Sequence, residues 1–295
     1  MTDSPRVTAP AAPQPFSPRH RLEWRAATLA GAWRETATAR TLAFDVPGWP
    51  GHLPGQHVIV RLRAEDGYTA QRSYSIASPP GVPGVPGGAD SDRIELTVQR
   101  LADGEVSPYL TDGIEPGDQV EVRGPIGSWF VLPPGTTSPV QLIAGGSGIV
   151  PLMSMIRAVS EAVPVRLLYS ARTPADVIYG EELERRAGRS RLAITYLFTR
   201  VQGLPGTPHL VPALPGSGDF AVMPVSPVTD AQALSASLSG RISAEVVAEA
   251  TWGPELAPEI FVCGPSGFVE AASSLLVAAG HLPASIKTER FGPTS

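Results

Sequence analysis

Short strand-like segments, separated by turn residues, fill the chain from residue 21 to about residue 132. Five of them have the length and composition of strands: residues 40–44, 57–63, 73–78, 93–100 and 119–123. This spacing predicts an antiparallel barrel or sandwich. The segment between Ser78 and Asp92 repeats Pro-Gly pairs, so we expect an exposed hairpin loop there.

The hydrophobic pattern changes after Pro133-Pro134-Gly135, where apolar runs begin to alternate with helical stretches. Four apolar runs have the length of buried strands: residues 140–144, 164–170, 193–198 and 259–263. Four stretches have helical character: residues 151–163, 181–188, 243–250 and 266–279. Alternation of this kind predicts a parallel sheet with helices on both faces.

These patterns divide the chain into two domains and two less regular segments. Residues 1–20 are rich in proline and alanine and predict a flexible extension. The first domain is predicted at 21–134 and the second at 135–295. Within the second, residues 202–239 contain many prolines, glycines and serines and are longer than a normal connection. A disordered surface insertion is the favoured interpretation, with a lid or a partner-docking loop as the alternative.

Composition narrows the class of protein. Of the 295 residues, 42% are hydrophobic and 17% are charged, so a packed interior is expected through most of the chain. No uninterrupted run of about eighteen apolar residues is present, and the first residues lack the apolar core of a signal peptide. We therefore expect a cytoplasmic protein without a membrane segment.

Charge and cysteine content exclude further classes. The net charge of −5 argues against general nucleic-acid binding, which draws on a basic excess. The five histidines show no metal-ligand spacing, so no metal site is predicted. The single cysteine, Cys263, permits neither an internal disulfide nor a thiolate-ligated iron-sulfur cluster within this chain. Such a cluster would have to lie on a partner.

The first candidate site is Arg72-Ser73-Tyr74-Ser75. On a strand, Arg72 and Tyr74 share one face, and Ser73 and Ser75 share the other. Arginine can hold a phosphate by paired hydrogen bonds, tyrosine can lie along a planar ring, and serine can hydrogen-bond a ring nitrogen. In isolation, the same residue types on a strand are more often structural.

A glycine turn opens a short helical segment about thirty residues later, at Gly104-Glu105-Val106-Ser107. Backbone amides at such a position can receive a phosphate. An ordinary helix cap by Ser107 explains the same residues equally well.

A second glycine-rich turn, Gly145-Gly146-Ser147-Gly148, joins an apolar strand to a helix with Pro151 in its first turn. This arrangement can also cradle a phosphate. It lacks the G-x-G-x-x-G spacing of the strict dinucleotide fingerprint, so a plain strand-to-helix turn is the alternative.

The last candidate segment ends a buried strand with Cys263-Gly264-Pro265. Open α/β sheets bind their ligands at the carboxyl ends of such strands. A lone buried cysteine is otherwise usually inert packing.

In this order, the four segments resemble the ferredoxin-NADP reductase family of flavoenzymes over residues 24–291. Pro54-Gly55-Gln56-His57 also resembles the family's strand before the flavin site. The resemblance implies a β barrel plus α/β architecture, with a six-stranded antiparallel flavin-binding barrel followed by a five-stranded parallel nucleotide-binding domain. It implies hydride transfer from NAD(P)H to FAD, and single-electron delivery to ferredoxin or another one-electron acceptor protein.

The resemblance also implies roles for residues of the first domain. Tyr74 and Ser75, with Ser73 beside them, would contact the isoalloxazine ring of the flavin. Its phosphates would be held by Arg72 and by the loop containing Gly104, Val106 and Ser107. FAD is expected rather than FMN, because a separate pyrophosphate loop suits a dinucleotide.

Further roles fall in the second domain. The pyrophosphate of the nicotinamide nucleotide would lie on five residues of the second turn: Gly145, Gly146, Ser147, Gly148 and Pro151. Cys263 would lie beside the nicotinamide, followed by Gly264 and Pro265. Glu289 resembles the family's acid and Phe291 its flavin-stacking aromatic, although the chain continues past Phe291 to Ser295 without a terminal tyrosine. Ser75, Cys263 and Glu289 are therefore the predicted catalytic residues.

The nucleotide preference is expected to be NADPH, with NADH possible. Ser170 and Arg172 follow the second predicted strand of the nucleotide domain, and Arg200 follows the third. At these positions the arginines could reach a 2′-phosphate, or they could be ordinary solvated residues. Asp176 lies nearby and could instead favour a ribose hydroxyl.

An acidic ferredoxin is the expected acceptor, because arginines are frequent in the barrel half. Six arginines of this half are candidates for docking an acidic partner, or equally for solvated strand faces: Arg61, Arg63, Arg72, Arg93, Arg100 and Arg123. One alternative is a reductase of small acceptors such as free flavin, quinone or ferric chelates. Another is a non-catalytic flavin-binding subunit, against which the joint presence of Ser75, Cys263 and Glu289 argues.

Overall fold

The computed structural model describes residues 22–63, 66–81, 92–201 and 235–292. The predicted N-terminal extension, most of the predicted loop before residue 92 and most of the predicted insertion lie outside the described residues. Within the described ranges, no helix is both long and apolar enough to span a bilayer. The same ranges contain no group of three or more His, Cys, Asp or Glu side chains arranged to hold a metal ion.

Six strands form the first sheet: β1 Trp24–Arg34, β2 Ala39–Asp45, β3 His57–Arg63, β4 Thr69–Ser75, β5 Arg93–Gln99 and β6 Gln119–Ile126. They pair antiparallel in the order β4-β3-β6-β1-β2-β5. A bridge between Ile76 and Leu96 joins the end of β4 to β5 and curls the sheet around one core. The predicted six-stranded antiparallel barrel is confirmed.

Alternating apolar residues fill the barrel. Val58 and Val60 of β3 are fully buried, whereas His57 and Ile59 lie on the other face and are only partly buried. This is the period-two pattern of a strand with one covered face. The short helix α1 Val106–Pro108, followed by one π turn, places Val106 in the same core.

Six strands also form the second sheet: β7 Val140–Gly145, β8 Val165–Ala171, β9 Leu192–Phe198, β10 Ser235–Ser239, β11 Glu259–Pro265 and β12 Ile286–Phe291. All are parallel, in the order β10-β9-β8-β7-β11-β12. Four α-helices of seven or more residues accompany them in the described part of the chain: α2 Ile149–Ala158, α3 Gly180–Ala187, α4 Ala244–Ala250 and α5 Ser266–Ala278.

The predicted count of five parallel strands is wrong, because the described sheet has six. Its four central strands are the four apolar runs that the sequence predicted. The two outer strands, β10 and β12, have one neighbour each and carry many polar residues, so they give no buried-strand signal. β10 also lies at the end of the predicted insertion, which is therefore not irregular throughout.

The two sheets share an apolar interface. The ring of Phe130, at the end of the barrel, meets the ring of Phe261 in β11 edge-on, with 5.5 Å between centroids. Gly55, with φ of +97°, lies in close contact with the Phe130 backbone and with α2. A Cβ added to it would lie 2.1 Å from the Phe130 carbonyl oxygen and 2.6 Å from the Met155 methyl carbon. The barrel is thus packed against α2 and the centre of the parallel sheet.

Candidate active site

Two neighbouring parallel strands carry a cysteine and a glutamate at their carboxyl ends. Cys263 of β11 is in register with Glu289 of β12 on one side and with Ala144 of β7 on the other. The carboxyl edge of an open parallel sheet is where ligands bind. Both side chains were predicted as catalytic, and the structure places them side by side at that edge.

His57, the first residue of β3, joins this edge to the barrel. Its Nδ1 lies 3.7 Å from Glu289 Oε1, and it is in register with Ser75, the last residue of β4. Directly opposed residues of antiparallel strands have neighbouring side chains on one face. Ser75, His57, Cys263 and Glu289 therefore meet where the two sheets join, and we call these four residues the junction cluster.

The sequence predicted no role for His57. It is the last residue of the Pro54-Gly55-Gln56-His57 segment, which forms a tight turn into β3. Gln56 holds that turn: its Oε1 accepts the Leu53 N–H, and its Nε2 donates to the Gly127 carbonyl, both at 2.7 Å. The approach of His57 to Glu289 depends on strand pairing and domain packing, neither of which a residue pattern reveals.

Burial controls protonation in the junction cluster. It raises the pKa of Glu289 to about 7, and Glu289 Oε2 is buried without a hydrogen-bond partner in the described part of the chain. Burial lowers the pKa of His57. Burial, followed by the neighbouring Glu289 charge, raises the pKa of the Cys263 thiol. Cys263 is therefore a neutral thiol at neutral pH, and Glu289 can take up or release a proton there.

β4 presents the predicted flavin contacts along an edge of the barrel sheet. Tyr74 packs on the barrel core, and burial raises its pKa to about 12. Arg72 is exposed and donates to the Gln71 carbonyl at 2.8 Å. Ser73 is also exposed and opposes Ile59 of β3. The strand thus offers a guanidinium, a half-buried phenol ring and, at its end, the Ser75 hydroxyl.

The loop from Gly104 to Ser107 is closed by its own serine. Ser107 Oγ accepts the Leu101 backbone N–H at 3.1 Å and is buried. A Cβ at Gly104 would lie 3.0 Å from that oxygen. Ser107 therefore accepts a hydrogen bond from the start of its own loop, just after β5, rather than capping the helix, and backbone amides are what this loop can offer to a phosphate.

Close backbone approach explains the glycines after β7. A Cβ at Gly148 would lie 2.2 Å from the Cys263 carbonyl oxygen, and one at Gly145 would lie 2.6 Å from the Phe268 ring. Gly146 has φ of +55° and open space beside it. The turn therefore crosses the end of β11 next to Cys263, with Gly146 and Ser147 partly accessible. Pro151 lies in the first turn of α2 and is buried.

Arg172 and Arg200 lie side by side at the ends of β8 and β9. The Arg200 N–H donates to the Arg172 carbonyl at 2.9 Å, and both residues are exposed. Ser170, at the end of β8, is buried. Asp176 Oδ2 accepts the backbone N–H and the hydroxyl of Thr173 at 3.0 and 2.7 Å. The carboxylate that could favour a ribose hydroxyl is thus engaged in its own turn.

The end of β12 forms one rim of the site. Gly264 and Pro265 are in register with Arg290 and Phe291. Phe291 is 38% exposed and lies two residues beyond Glu289. The predicted flavin-stacking aromatic is therefore beside the junction cluster with an accessible ring.

Half of the six arginines considered for docking are paired with carboxylates. The pairs are Arg61 with Glu121 at 2.7 Å, Arg93 with Asp45 at 2.7 Å, and Arg100 with Asp112 at 2.8 Å. The Arg123 guanidinium lies over the Trp24 ring, 4.8 Å from its centroid. Each of these three arginines has a neutralising carboxylate beside it, which weakens its attraction for an acidic partner, and the docking role of the six stays a prediction.

Family models match both halves of the chain. An oxidoreductase FAD-binding domain matches residues 28–131, and an oxidoreductase NAD-binding domain matches residues 142–207. The first match covers the barrel, the second begins in the parallel sheet, and together they span more than half of the chain. The chain belongs to the ferredoxin-NADP reductase-like family. The predicted order of a flavin domain followed by a nicotinamide-nucleotide domain is confirmed.

Curated members of this family include reductase components of oxygenase systems. The chain is 31% identical over 266 residues to the glycine betaine monooxygenase reductase subunit of Chromohalobacter salexigens, covering 88% of this chain and 62% of the relative. It is 29% identical over 283 residues to the ferredoxin reductase component of 3-ketosteroid-9-alpha-monooxygenase from Mycolicibacterium smegmatis, covering 92% and 66%. The chain thus spans about two thirds or less of the length of these relatives.

Solved structures share the family fold. A ferredoxin NADP+ reductase from Neisseria gonorrhoeae has a TM-score of 0.67 at 18% identity, over 90% of this chain and 98% of that one. The FAD/NAD-binding domain of a nitric oxide dioxygenase from Vibrio cholerae has a TM-score of 0.70 at 20% identity, over 91% and 99%. At these identities the likeness concerns the fold.

The residues present fit the two cofactors that the family models name. The turn at Gly148 has no room for a Cβ and leaves partly accessible backbone beside it, which suits a pyrophosphate. The unpaired buried oxygen of Glu289 lies in a cluster with a serine hydroxyl and a neutral thiol, which suits the polar edge of a ring. Both features lie at the junction of the two domains.

Proposed function

We propose that this chain is an FAD-dependent NAD(P)H oxidoreductase that moves hydride from the nucleotide to the flavin and electrons onward to a ferredoxin-type acceptor protein. The observation that most supports this proposal is the distance of 3.7 Å between His57 Nδ1 of the barrel and Glu289 Oε1 of the parallel-sheet domain. His57 is in register with Ser75 at the end of a barrel strand, and Glu289 is in register with Cys263 at the carboxyl edge of the parallel sheet, so this approach joins the two pairs. Two binding surfaces that meet at one point are what transfer between two cofactors requires.

In this proposal the barrel holds FAD. Arg72 and the backbone amides of the loop with Gly104, Val106 and Ser107 receive the phosphates. Tyr74 lies along the ring, Ser73 and Ser75 line its edge, and Phe291 covers it from the rim. When bound, the flavin supplies the conversion between two-electron and one-electron transfer.

The parallel-sheet domain holds the nicotinamide nucleotide. Its pyrophosphate lies on the turn containing Gly145, Gly146, Ser147, Gly148 and Pro151, with Gly264 and Pro265 beside the nicotinamide. Arg172 and Arg200, next to Ser170, favour NADPH over NADH because paired guanidinium groups suit a 2′-phosphate. The engagement of Asp176 by Thr173 supports this preference.

Three side chains of the junction cluster act on the reaction by positioning and proton control. Ser75 donates a hydrogen bond to a ring nitrogen. Cys263, as a neutral thiol, packs against the nicotinamide and fixes its approach. Glu289, with its pKa near 7, holds or releases a proton at the ring edge.

The domain division and the compartment belong to the same proposal. The boundary lies between residues 134 and 135, and 202–239 is an insertion in the second domain that ends in β10. A cytoplasmic location is consistent with the free, buried thiol of Cys263.

A reductase of small acceptors is the second candidate, and the neutralised Arg61, Arg93 and Arg100 favour it. The two are distinguished by NADPH-driven reduction of cytochrome c, with and without ferredoxins from the same source, over a salt series. A protein acceptor predicts a ferredoxin-dependent rate that falls as salt rises. Equal rates without ferredoxin, flat in salt, would favour the small-acceptor reductase.

A further inference from the structure

A buried polar network joins the two domains through residues outside the junction cluster. Its centre is Tyr179, which immediately precedes α3 and is 2% exposed. The phenol hydroxyl donates to Thr97 Oγ1 in barrel strand β5. Burial raises the pKa of Tyr179, so the phenol stays protonated as a donor.

Hydroxyl groups continue this contact into the barrel. Thr97 Oγ1 lies 2.7 Å from Thr41 Oγ1, and Thr41 donates to Glu35 Oε1 at 2.7 Å. Since each hydroxyl has one proton to give, Thr97 is the donor to Thr41. Glu35 Oε2 accepts the Tyr179 backbone N–H at 3.3 Å. This series of hydrogen bonds therefore begins at the Tyr179 hydroxyl and returns to the Tyr179 backbone. We call Tyr179, Thr97, Thr41 and Glu35 the Tyr179 network.

The backbone of Tyr179 is held in an unfavourable conformation. Its φ of +62° lies in the left-handed region, which is uncommon for a residue with a large side chain. Such a conformation persists only where its surroundings determine it. Here the phenol and the backbone N–H are both fixed by the barrel, so the barrel contacts determine where α3 begins.

Arg157 of α2 strengthens the same interface. Its guanidinium pairs with Glu182 of α3 and, at 2.9 Å each, with Glu95 and the Ala77 carbonyl of the barrel. It also lies 5.2 Å from the centre of the Tyr179 ring. The side chain is only 10% exposed, so these pairs are shielded from solvent screening.

The contact within the junction cluster is weaker. The 3.7 Å between His57 Nδ1 and Glu289 Oε1 exceeds a hydrogen-bond length. It therefore contributes little to holding one domain against the other, although this spacing is the one that the proposed reaction depends on.

We propose that Tyr179 is a positioning residue for the reaction: its network fixes the parallel-sheet domain on the barrel and thereby sets the spacing of Cys263 and Glu289 from Ser75 and His57. This inference rests on the proposed function. Misplacement of reacting groups by about 1 Å can cost about a hundredfold in rate. Loosening the network should therefore slow hydride transfer without emptying either binding site.

The test compares two tyrosines in the FAD-loaded full chain. Tyr179→Phe removes the donor and keeps the ring. Tyr196→Phe is the matched control, because Tyr196 is also buried but its hydroxyl has no partner among the described residues. We expect Tyr179→Phe to lower the limiting rate of flavin reduction by NADPH about tenfold or more, with flavin content and nucleotide KM unchanged, and Tyr196→Phe to leave it unchanged. Thr97→Val, which removes the acceptor, should reproduce the loss.

A second measurement distinguishes positioning from general stabilisation. The long-wavelength charge-transfer absorbance of the flavin with bound nucleotide depends on the spacing of the two rings, and it should weaken in Tyr179→Phe. A wild-type rate with wild-type absorbance in Tyr179→Phe would overturn the inference. So would a slower rate that is fully accounted for by lost flavin. If the flavin of the wild-type protein is not reduced by either nucleotide, the proposed function itself is wrong, and this result differs from any result that concerns Tyr179 alone.

Discussion

Burial of Glu289 makes the stability of the folded chain depend on pH. Its pKa is about 7 in the folded chain and near 4.5 in the unfolded chain. Between those values the folded state keeps a proton that the unfolded state has released, so stability falls as pH rises from about 5 to 7 and stays lower above that.

Glu289→Gln should remove this dependence. We expect the variant to match the wild type at pH 4, below both pKa values, and to exceed it by on the order of 3 kcal/mol at pH 8, as measured by urea unfolding of the flavin-free protein. Glu161→Gln, at an exposed position, serves as the control and should change neither value. If the difference in free energy of unfolding between Glu289→Gln and the wild type is the same at both pH values, burial does not raise the pKa of Glu289.

Cys263 is the residue whose proposed role differs most from simple packing. Cys263→Ala should keep bound flavin but reduce it about tenfold more slowly at saturating nucleotide, because the thiol would no longer fix the nicotinamide. The control is Ser273→Ala in α5. It removes a buried hydroxyl that has no hydrogen-bond partner among the described residues, and it should retain the wild-type rate. Rapid-mixing absorbance gives both rates. An unchanged rate in Cys263→Ala would show that Cys263 only packs in the core and does not position the nicotinamide.

Arg172 and Arg200 should determine the choice of nucleotide. Arg172→Ala is expected to lower kcat/KM for NADPH about tenfold and to leave the NADH value nearly unchanged, because only NADPH carries the 2′-phosphate. Arg189→Ala, at an exposed position before the start of β9, is the matched control. The assignment is wrong if the NADPH to NADH ratio is the same in Arg172→Ala and Arg189→Ala.

At the scale of elements, the turn after β7 depends on close backbone contact. In Gly148→Ala the new methyl would meet the Cys263 carbonyl at 2.2 Å, so β11 or the turn must move. We expect a loss of about 2–4 kcal/mol in stability and weaker nucleotide binding. Gly267→Ala in α5 meets nothing within 4 Å and should be neutral or more stable by about 0.5–1 kcal/mol. Thermal unfolding of both variants tests the contrast, which a stable Gly148→Ala would contradict.

Elements with a continuous apolar run were predictable from the sequence. β7 is buried at every residue, and β11 at all but its two ends, because parallel central strands are covered on both faces. β12 reads Ile-Lys-Thr-Glu-Arg-Phe, and β1 is rich in alanine with a glycine at its bulge. Neither has a hydrophobic pattern strong enough to predict a strand, and both gain their structure from neighbouring strands.

The chemistry-bearing segments were predictable as residue types but not as partners. Ser75, Cys263 and Glu289 stood out because their motifs resemble a family. His57 and Tyr179 belong to no such motif, and their importance arises from contacts between domains. Ser107 shows the converse: its position suggested a helix cap, yet its hydroxyl oxygen accepts the Leu101 N–H, because the loop after β5 closes on itself.

For the whole molecule, the proposed reaction takes place at the joint between two independently patterned domains. Each domain supplies one cofactor surface, and interdomain contacts at Phe130, Arg157 and Tyr179 bring the two surfaces together. An arrangement of this kind couples catalysis to the relative orientation of the domains. The bound flavin is predicted to be FAD rather than FMN, because the loop from Gly104 to Ser107 offers backbone amides to a pyrophosphate. Chromatography of the flavin released by denaturation would identify it.

The most direct test of the central claim is anaerobic mixing of the FAD-loaded protein with excess NADPH or NADH while the visible absorbance of oxidised flavin is followed. We expect complete loss of that absorbance with NADPH, slower loss with NADH, and its return when an oxidised one-electron acceptor is added. Flavin that stays oxidised in excess of both nucleotides, although dithionite reduces it in the same sample, would contradict the proposed hydride transfer.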